Sequence, residues 1–206
     1  MLSESHKQVG NLILLKRQVK AHLPSKWGDF DMIAYAQQSE DRMAHLAFVH
    51  RDADLQKPVT VRIHSECLTG DLFGSSRCDC GDQFDEAMNI ISKSKGILIY
   101  LRQEGRGIGL IPKLKAYNLQ DQGLNTIDAN VHLGFEPDQR DYDIAIFMLK
   151  DLGVKSINLL TNNPEKLSAV NMSDIQLNER IPLIVAPKAD NKAYMDTKKE
   201  KMGHLL

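Results

Sequence analysis

Cys67, Cys78 and Cys80 are the only cysteines of the chain, and all three fall in one stretch, "HSECLTGDLFGSSRCDC", residues 64–80. Three thiolates without a fourth match the ligand count of a catalytic zinc, which keeps a position for water or substrate. A structural zinc is closed by four protein ligands. Cys78 and Cys80 are one residue apart, so an extended segment turns both side chains to the same side, with Cys67 returning from the end of the preceding strand. Two other readings stay open on spacing alone. The three could be small buried hydrophobes, although Ser76, Arg77 and Asp79 make poor core neighbours. A closed zinc site could also recruit His64. A zinc on three thiolates still lowers the pKa of its water, though the anionic ligands offset part of its charge. "HSE" (64–66) matches the first half of the H-x-E and P-C-x-x-C pattern of zinc deaminases, but the second half is absent.

Other residues point to an anion. "EGRGIG" brings Gly105, Gly107 and Gly109 together after a strand and before a helix, where backbone N–H groups can bind phosphate. It is not a G-x-x-x-x-G-K-[ST] loop and misses G-x-G-x-x-G by one position, so a dinucleotide site is a weak reading and a plain tight turn is the ordinary one. Arg102 and Arg106 beside it favour phosphate, because guanidinium forks match its oxygens. In "TNNPEK", Thr161 at a strand end and Lys166 in a first helical turn suit phosphate as well. A lysine there opposes the helix dipole unless an anion is beside it, yet such a lysine is commonly a solvated surface residue. "PDQRD" offers Asp138, Arg140 and Asp141, for which capping and surface pairing are the usual account. Tyr117, among apolar neighbours on a helix, reads as packing.

The elements that must position these groups alternate between strand and helix. "VTVRIH" alternates Val59, Val61 and Ile63 with Thr60, Arg62 and His64, the period of a half-buried strand. Phe84, Ala87, Met88 and Ile91 mark an amphipathic helix ending near Gly96. "GILIYL" reads as a buried strand, followed by the glycine turn and a helix that stops at Gly123. "DYDIAIFMLKDLG" is a further helix, "SINLLT" a strand, "NPEKLSAV" a helix capped by Asn163 with Pro164 in its first turn, and "IPLIVAP" a strand. This predicts an α/β fold, a mixed sheet flanked by helices, in a single domain. Residues 1–24 read as an arm or early element, 25–187 as the catalytic domain and 188–206 as a polar, lysine-rich tail without period.

With 206 residues the chain could bury roughly 70% of its unfolded surface without staples. An odd cysteine count cannot pair off completely, and the apolar run Leu12 to Leu15 is too short for a secretory segment, so a cytoplasmic setting is expected. No window suits a membrane span, and 26 Lys+Arg against 27 Asp+Glu give no bulk attraction to nucleic acid or membrane. A polyanion would have to be held by a local cluster.

From about Leu15 onward the chain resembles GTP cyclohydrolase II, the enzyme family that opens riboflavin biosynthesis from GTP. The resemblance rests on "RIHSECLTGD", "RCDCGDQ", "RQEGRGIGL", "YNLQDQG", "LLTNNPEK" and "DTKKEKMGHLL", in that order. It implies that Cys67, Cys78 and Cys80 hold one zinc per subunit, with water at the open position attacking C8 of guanine, which leaves as formate. It implies a GTP site lined by Arg62, Ile63, His64, Ser65, Glu66, Gln83, Glu104, Gly105, Arg106, Thr126, Thr161 and Lys166, with Mg2+ on the triphosphate, and a homodimer. Asp138 would be the proton acceptor and Arg140 the nucleophile at the α-phosphate, with Tyr117 assisting at the ring. Physical chemistry gives Arg140 a second role, an electrostatic clamp, because a guanidinium is effectively always protonated. Two rival readings are a signalling module that binds GTP around a structural zinc, and a related enzyme that stops at the formamide or takes another purine nucleotide.

Overall fold

The computed structural model of the chain describes residues 15–186 and 188–205. Among these, seven strands form one mixed sheet: β1 (Lys16–Ser25), β2 (Gly28–Ala36), β3 (His45–His50), β4 (Val59–Ser65), β5 (Ile97–Leu101), β6 (Ser156–Leu160) and β7 (Gln176–Ile181). The order is β1-β2-β3-β5-β4-β6-β7. The first four neighbours run antiparallel and the last four parallel. Seven helices accompany them: α1 (Leu68–Asp71), α2 (Cys80–Ser94), α3 (Leu110–Asp121), α4 (Thr126–His132), α5 (Asp143–Asp151), α6 (Pro164–Asn171) and α7 (Lys192–Met202).

The expected half-buried strand over 59–64 is instead buried on both faces. Parallel neighbours β5 and β6 flank it, and parallel strands are normally covered on both sides. Val59, Val61 and Ile63 join Ile97, Ile99 and Leu101 under Ala145, Met148 and Leu149 of α5. Leu98 of β5 packs with Met88 and Ile91 of α2 in a second cluster. The alternation therefore separates a dry core from a layer in which Arg62 and His64 are buried yet polar. Groups of that kind need partners.

Two expectations shift, and the early element expected over 1–24 is a strand where its residues are described. The strand expected in "IPLIVAP" lies upstream, with β7 ending at Ile181. Pro182 has no N–H for the ladder, and Leu183 leaves the sheet to exchange hydrogen bonds with the Asn162 side chain at 3.1 and 2.5 Å; Pro187 lies outside the described residues. The aperiodic tail contains α7. Of the N-terminal arm, residues 1–14 lie outside the described residues, while Lys16–Ser25 pairs along its length with β2.

Helix α2 ends at Ser94, near Gly96 as expected. Lys95, not Gly96, takes the left-handed conformation, at φ 55. Gly96 serves close approach instead, since a Cβ there would lie 2.3 Å from the carbonyl oxygen of Thr60 in β4. This contact seats α2, and hence Cys80 at its start, against the sheet. In urea denaturation, Lys95→Gly is expected to stabilise the fold by about 1 kcal/mol by relieving the left-handed strain. Gly96→Ala is expected to destabilise it by about 2 kcal/mol through overpacking. Equal effects of the two changes would contradict this assignment.

Candidate active site

The carboxyl ends of β4, β5 and β6 open together, the place where α/β sheets bind ligands. Cys67 follows β4 and immediately precedes α1, Cys78 lies in the connecting loop, and Cys80 begins α2. Their three Sγ atoms lie within 4.8 Å of one another, with Cys67 and Cys78 3.7 Å apart. Four ligands about 2.3 Å from a tetrahedral zinc would place sulfurs about 3.8 Å apart, so the donor set fits that ion. Glycines permit the convergence: a Cβ on Gly81 would lie 2.3 Å from the Gly70 carbonyl oxygen, and one on Gly70 would lie 3.0 Å from Cys78 Sγ. His64 is not part of this group. Its Nε2 is 3.0 Å from both Asp71 carboxylate oxygens, and its ring stacks on Tyr100 at 5.6 Å.

The thiols do not ionise alike. Hydrogen bonds from Cys78 and Cys80, with Lys113 nearby, pull Cys67 far below the ordinary thiol range. The Cys67 thiolate in turn pushes Cys78 up to about 11 and Cys80 well above its ordinary value. A dication among them would override this difference by stabilising all three thiolates.

Lys113 is a residue that the sequence reading missed. Its Nζ donates to Cys67 Sγ at 3.1 Å, Thr69 Oγ1 at 2.9 Å and Glu104 Oε1 at 2.7 Å. Glu104 Oε2 accepts from the N–H of Leu68 at 2.6 Å, tying the glycine turn to α1. Tyr117, read as packing, places its hydroxyl 3.3 Å from Thr69 Oγ1. Lys113 and Tyr117 are four residues apart on α3 and so share a helix face. That spacing was the available signal.

Beyond the thiols the site opens into a cavity continuous with solvent. Arg62, His64, Ser65, Glu66 and Gln83 line it, as do Glu104, Gly105, Arg106, Thr126, Thr161 and Lys166, together with the three cysteines, Tyr117 and Arg140. Ile63 and Asp138 stand behind the wall. Ile63 is a core residue whose carbonyl oxygen accepts from Lys166 Nζ at 2.8 Å. Asp138 grips Arg140, its two oxygens accepting from Nε at 2.9 and 3.1 Å. Thr126 begins α4, which Asn125 caps.

The cavity gathers positive charge. Arg62 donates to Gln83 Oε1 at 2.6 Å and to the Leu160 carbonyl at 3.1 Å, and burial lowers its pKa to about 10. Lys166 is not the solvated lysine of the ordinary reading. It is buried, and burial together with Arg62, Arg140 and Lys198 drives its pKa well down. Burial opposes the charge on Arg140 too, but Tyr142 and the Asp138 carboxylate outweigh it and raise its pKa. On Asp138 the same pairing overcomes burial and lowers its pKa.

Arg106 is the least satisfied of these cations. Both terminal nitrogens are buried without a hydrogen-bond partner within the protein. Its backbone and that of Gly105 are left-handed, at φ 64 and 62. The Arg106 carbonyl oxygen accepts from the N–H of Gln139 at 2.9 Å, which docks the turn on the 138–140 segment. Strain at a non-glycine residue, combined with an unsatisfied buried charge, marks a position held for a ligand.

The mixed sheet, the three-thiol corner and the cation-lined cavity define an α/β protein with three cysteines that could hold a metal ion beside a cluster of buried cations. Residues 16–182 match GTP cyclohydrolase II, and the chain belongs to that family. It is 49% identical over 194 residues to the riboflavin biosynthesis protein RibBA of Chlorobium phaeovibrioides, covering 94% of this chain and 47% of that protein. The RibBA protein of Bacillus subtilis is 50% identical over 195 residues, covering 94% and 49%. The chain thus spans about half the length of the curated relatives it matches. A crystal structure of RibBX, a two-domain 3,4-dihydroxy-2-butanone 4-phosphate synthase from A. baumannii, aligns at 19% identity with a TM-score of 0.46, covering 88% of this chain and 42% of that one.

Arg106→Gly separates strain from binding. The variant is expected to resist urea as well as the parent or better, by about 1 kcal/mol. Its affinity for tripolyphosphate, measured by calorimetry, is expected to fall roughly tenfold or more through the lost charged hydrogen bonds. Unchanged affinity would show that the guanidinium does not meet the anion.

Proposed function

We propose that this chain is a zinc-dependent hydrolase that converts GTP to 2,5-diamino-6-(5-phosphoribosylamino)pyrimidin-4-one, formate and pyrophosphate, at the entry to riboflavin biosynthesis. Two C–N bonds of C8 are hydrolysed, along with the bond between the α- and β-phosphates. The observation that carries this reading is the presence, in one cavity, of a three-thiol corner and a partnerless buried guanidinium. The first suits hydrolysis at an electron-poor ring carbon and the second suits a triphosphate. Family membership supplies the substrate class.

Cys67, Cys78 and Cys80 would hold the zinc, which when bound supplies a Lewis acid and lowers the pKa of water at the ring. The chain's own groups do the rest. Lys113 donates to the Cys67 sulfur and holds Glu104 and Thr69 in place. The Tyr117 hydroxyl, oriented by Thr69, holds a proton at the edge of the opening ring. Arg62, Arg106 and Lys166 neutralise the phosphates, with Mg2+ entering on the triphosphate. Ser65 Oγ and Glu66 Oε2, both buried without a protein partner, are available to the nucleotide, with Gln83 beside them.

For Arg140 the geometry supports the clamp over the nucleophile. Asp138 holds the guanidinium along its Nε–Nη2 edge and favours its charged form. A guanidinium so held stabilises charge developing at the α-phosphate without losing its proton. A guanylylated adduct mapped to Arg140 would overturn that choice. Following the family resemblance, we place the enzyme in the cytoplasm as a homodimer.

The test is to incubate metal-analysed protein with GTP and Mg2+ while following formate, pyrophosphate and the pyrimidine separately. The parent chain releases all three. Cys78→Ser is expected to lose zinc and formate release, with part of the pyrophosphate release surviving. Full formate production by zinc-free protein would contradict the mechanism, and GTP binding without turnover by metal-loaded protein would favour a signalling module.

A further inference from the structure

The C-terminal segment carries part of the resemblance in "DTKKEKMGHLL" but offered no candidate site residue as a sequence, and the family match over residues 16–182 stops short of it. In the structure it reaches the site. Lys198 of α7 forms a buried ion pair with Asp79, which lies between two of the cysteines and is fully shielded from solvent. The other Asp79 oxygen accepts from Gln83 Nε2 at 2.5 Å, and Gln83 in turn accepts from Arg62. One polar chain therefore links α7 to the cysteine loop and to a cation of the cavity.

The end of α7 is fastened separately. Gly203, at φ 63, stops the helix and lies against Pro164, the first residue of α6. The N–H of His204 donates to the Lys198 carbonyl at 3.1 Å, and that of Leu205 to the Asn162 carbonyl at 2.9 Å. Residues 203–205 thus lie across the β6–α6 turn that carries Thr161 and Lys166. Tyr194, Lys198, Met202 and His204 form part of the cavity wall. His204 is held neutral, its pKa lowered to about 3 by burial and then by Lys198, Arg140 and Lys166, which places it among the same cations.

We infer that α7 is the closing wall of the nucleotide site, docked through Lys198 on Asp79, and that Lys198 and His204 face the phosphate end of the ligand. The inference rests on the nucleotide reading given above. A lysine has three donors and Asp79 uses one, so the ammonium can meet an anion without leaving its partner. A wall of this kind has a selective consequence: its loss weakens binding of the phosphates far more than binding of the base.

Calorimetry on the zinc-loaded full chain, with tripolyphosphate and guanosine as separate probes, tests this. Lys198→Met is expected to weaken tripolyphosphate roughly tenfold or more, the scale of one lost charged hydrogen bond, and to change guanosine by less than about threefold. Lys198→Arg is expected to retain most of the affinity. Because Lys198→Met strands a buried carboxylate, the double variant Asp79→Asn/Lys198→Met provides a second measurement with no unpaired charge, and the same selective loss is expected. His204→Ala, which breaks no ion pair, is expected to shift tripolyphosphate alone. If wild type binds both probes and the lysine variants weaken both equally or neither, the wall is overturned while the nucleotide reading stands. A wild-type chain that binds neither probe overturns the nucleotide reading, and the wall with it.

Discussion

Three sulfurs within 4.8 Å of each other are the constraint around which this protein is arranged. Two like charges about 4 Å apart repel by roughly 4 kcal/mol at the effective dielectric of a protein surface, so three thiolates do not gather unaided. The fold brings them together by backbone contact. Gly81 lies against the Gly70 carbonyl and Gly96 against that of Thr60, and no larger residue fits either place without displacement. Lys113 then sets a positive charge beside the Cys67 sulfur. A divalent cation bound among them would turn this crowded arrangement from a cost into a stable one.

The second half of the cavity has the opposite problem. Arg62, Lys166, Arg106 and Arg140 are brought together with too few carboxylates to balance them. Asp138 is committed to Arg140, and backbone carbonyls serve Arg62 and Lys166. Arg106 is left with buried, unsatisfied nitrogens on a strained backbone. Excess positive charge next to a metal-capable corner supports the proposed reading of a strongly anionic ligand, such as a nucleoside triphosphate. Glu104 joins the halves, because it holds Lys113 on the thiol side and belongs to the turn that presents Arg106.

Much of this was legible in the residues. The C-x-C spacing and the missing fourth cysteine anticipated a three-sulfur corner, the helix after Cys80 followed from its apolar period, and the strand after it from the continuous apolar run "GILIYL". What was not legible depends on long-range packing. Strand β4 reads as half-buried because Arg62 and His64 are polar, and only the parallel neighbours show that both faces are covered. The left-handed turn fell on Lys95 because Gly96 was needed for contact with a strand 36 positions earlier. Lys113 reads as one more helical lysine until α3 is laid against the cysteine loop. In α7 the buried Lys198 meets Asp79 while Lys199 and Glu200 beside it are exposed, so charge falls on both sides of the helix and no apolar period announces it.

The central claim is that the sulfur corner is an open metal site and not a closed one. X-ray absorption on the zinc-loaded chain tests it most directly. The account predicts one zinc per chain with three sulfurs at about 2.3 Å and one oxygen at about 2.0 Å, without the outer-shell pattern of an imidazole. Imidazole scattering, which would bring His64 away from Asp71 and close the site, would contradict it, as would a zinc bound by fewer than three sulfurs.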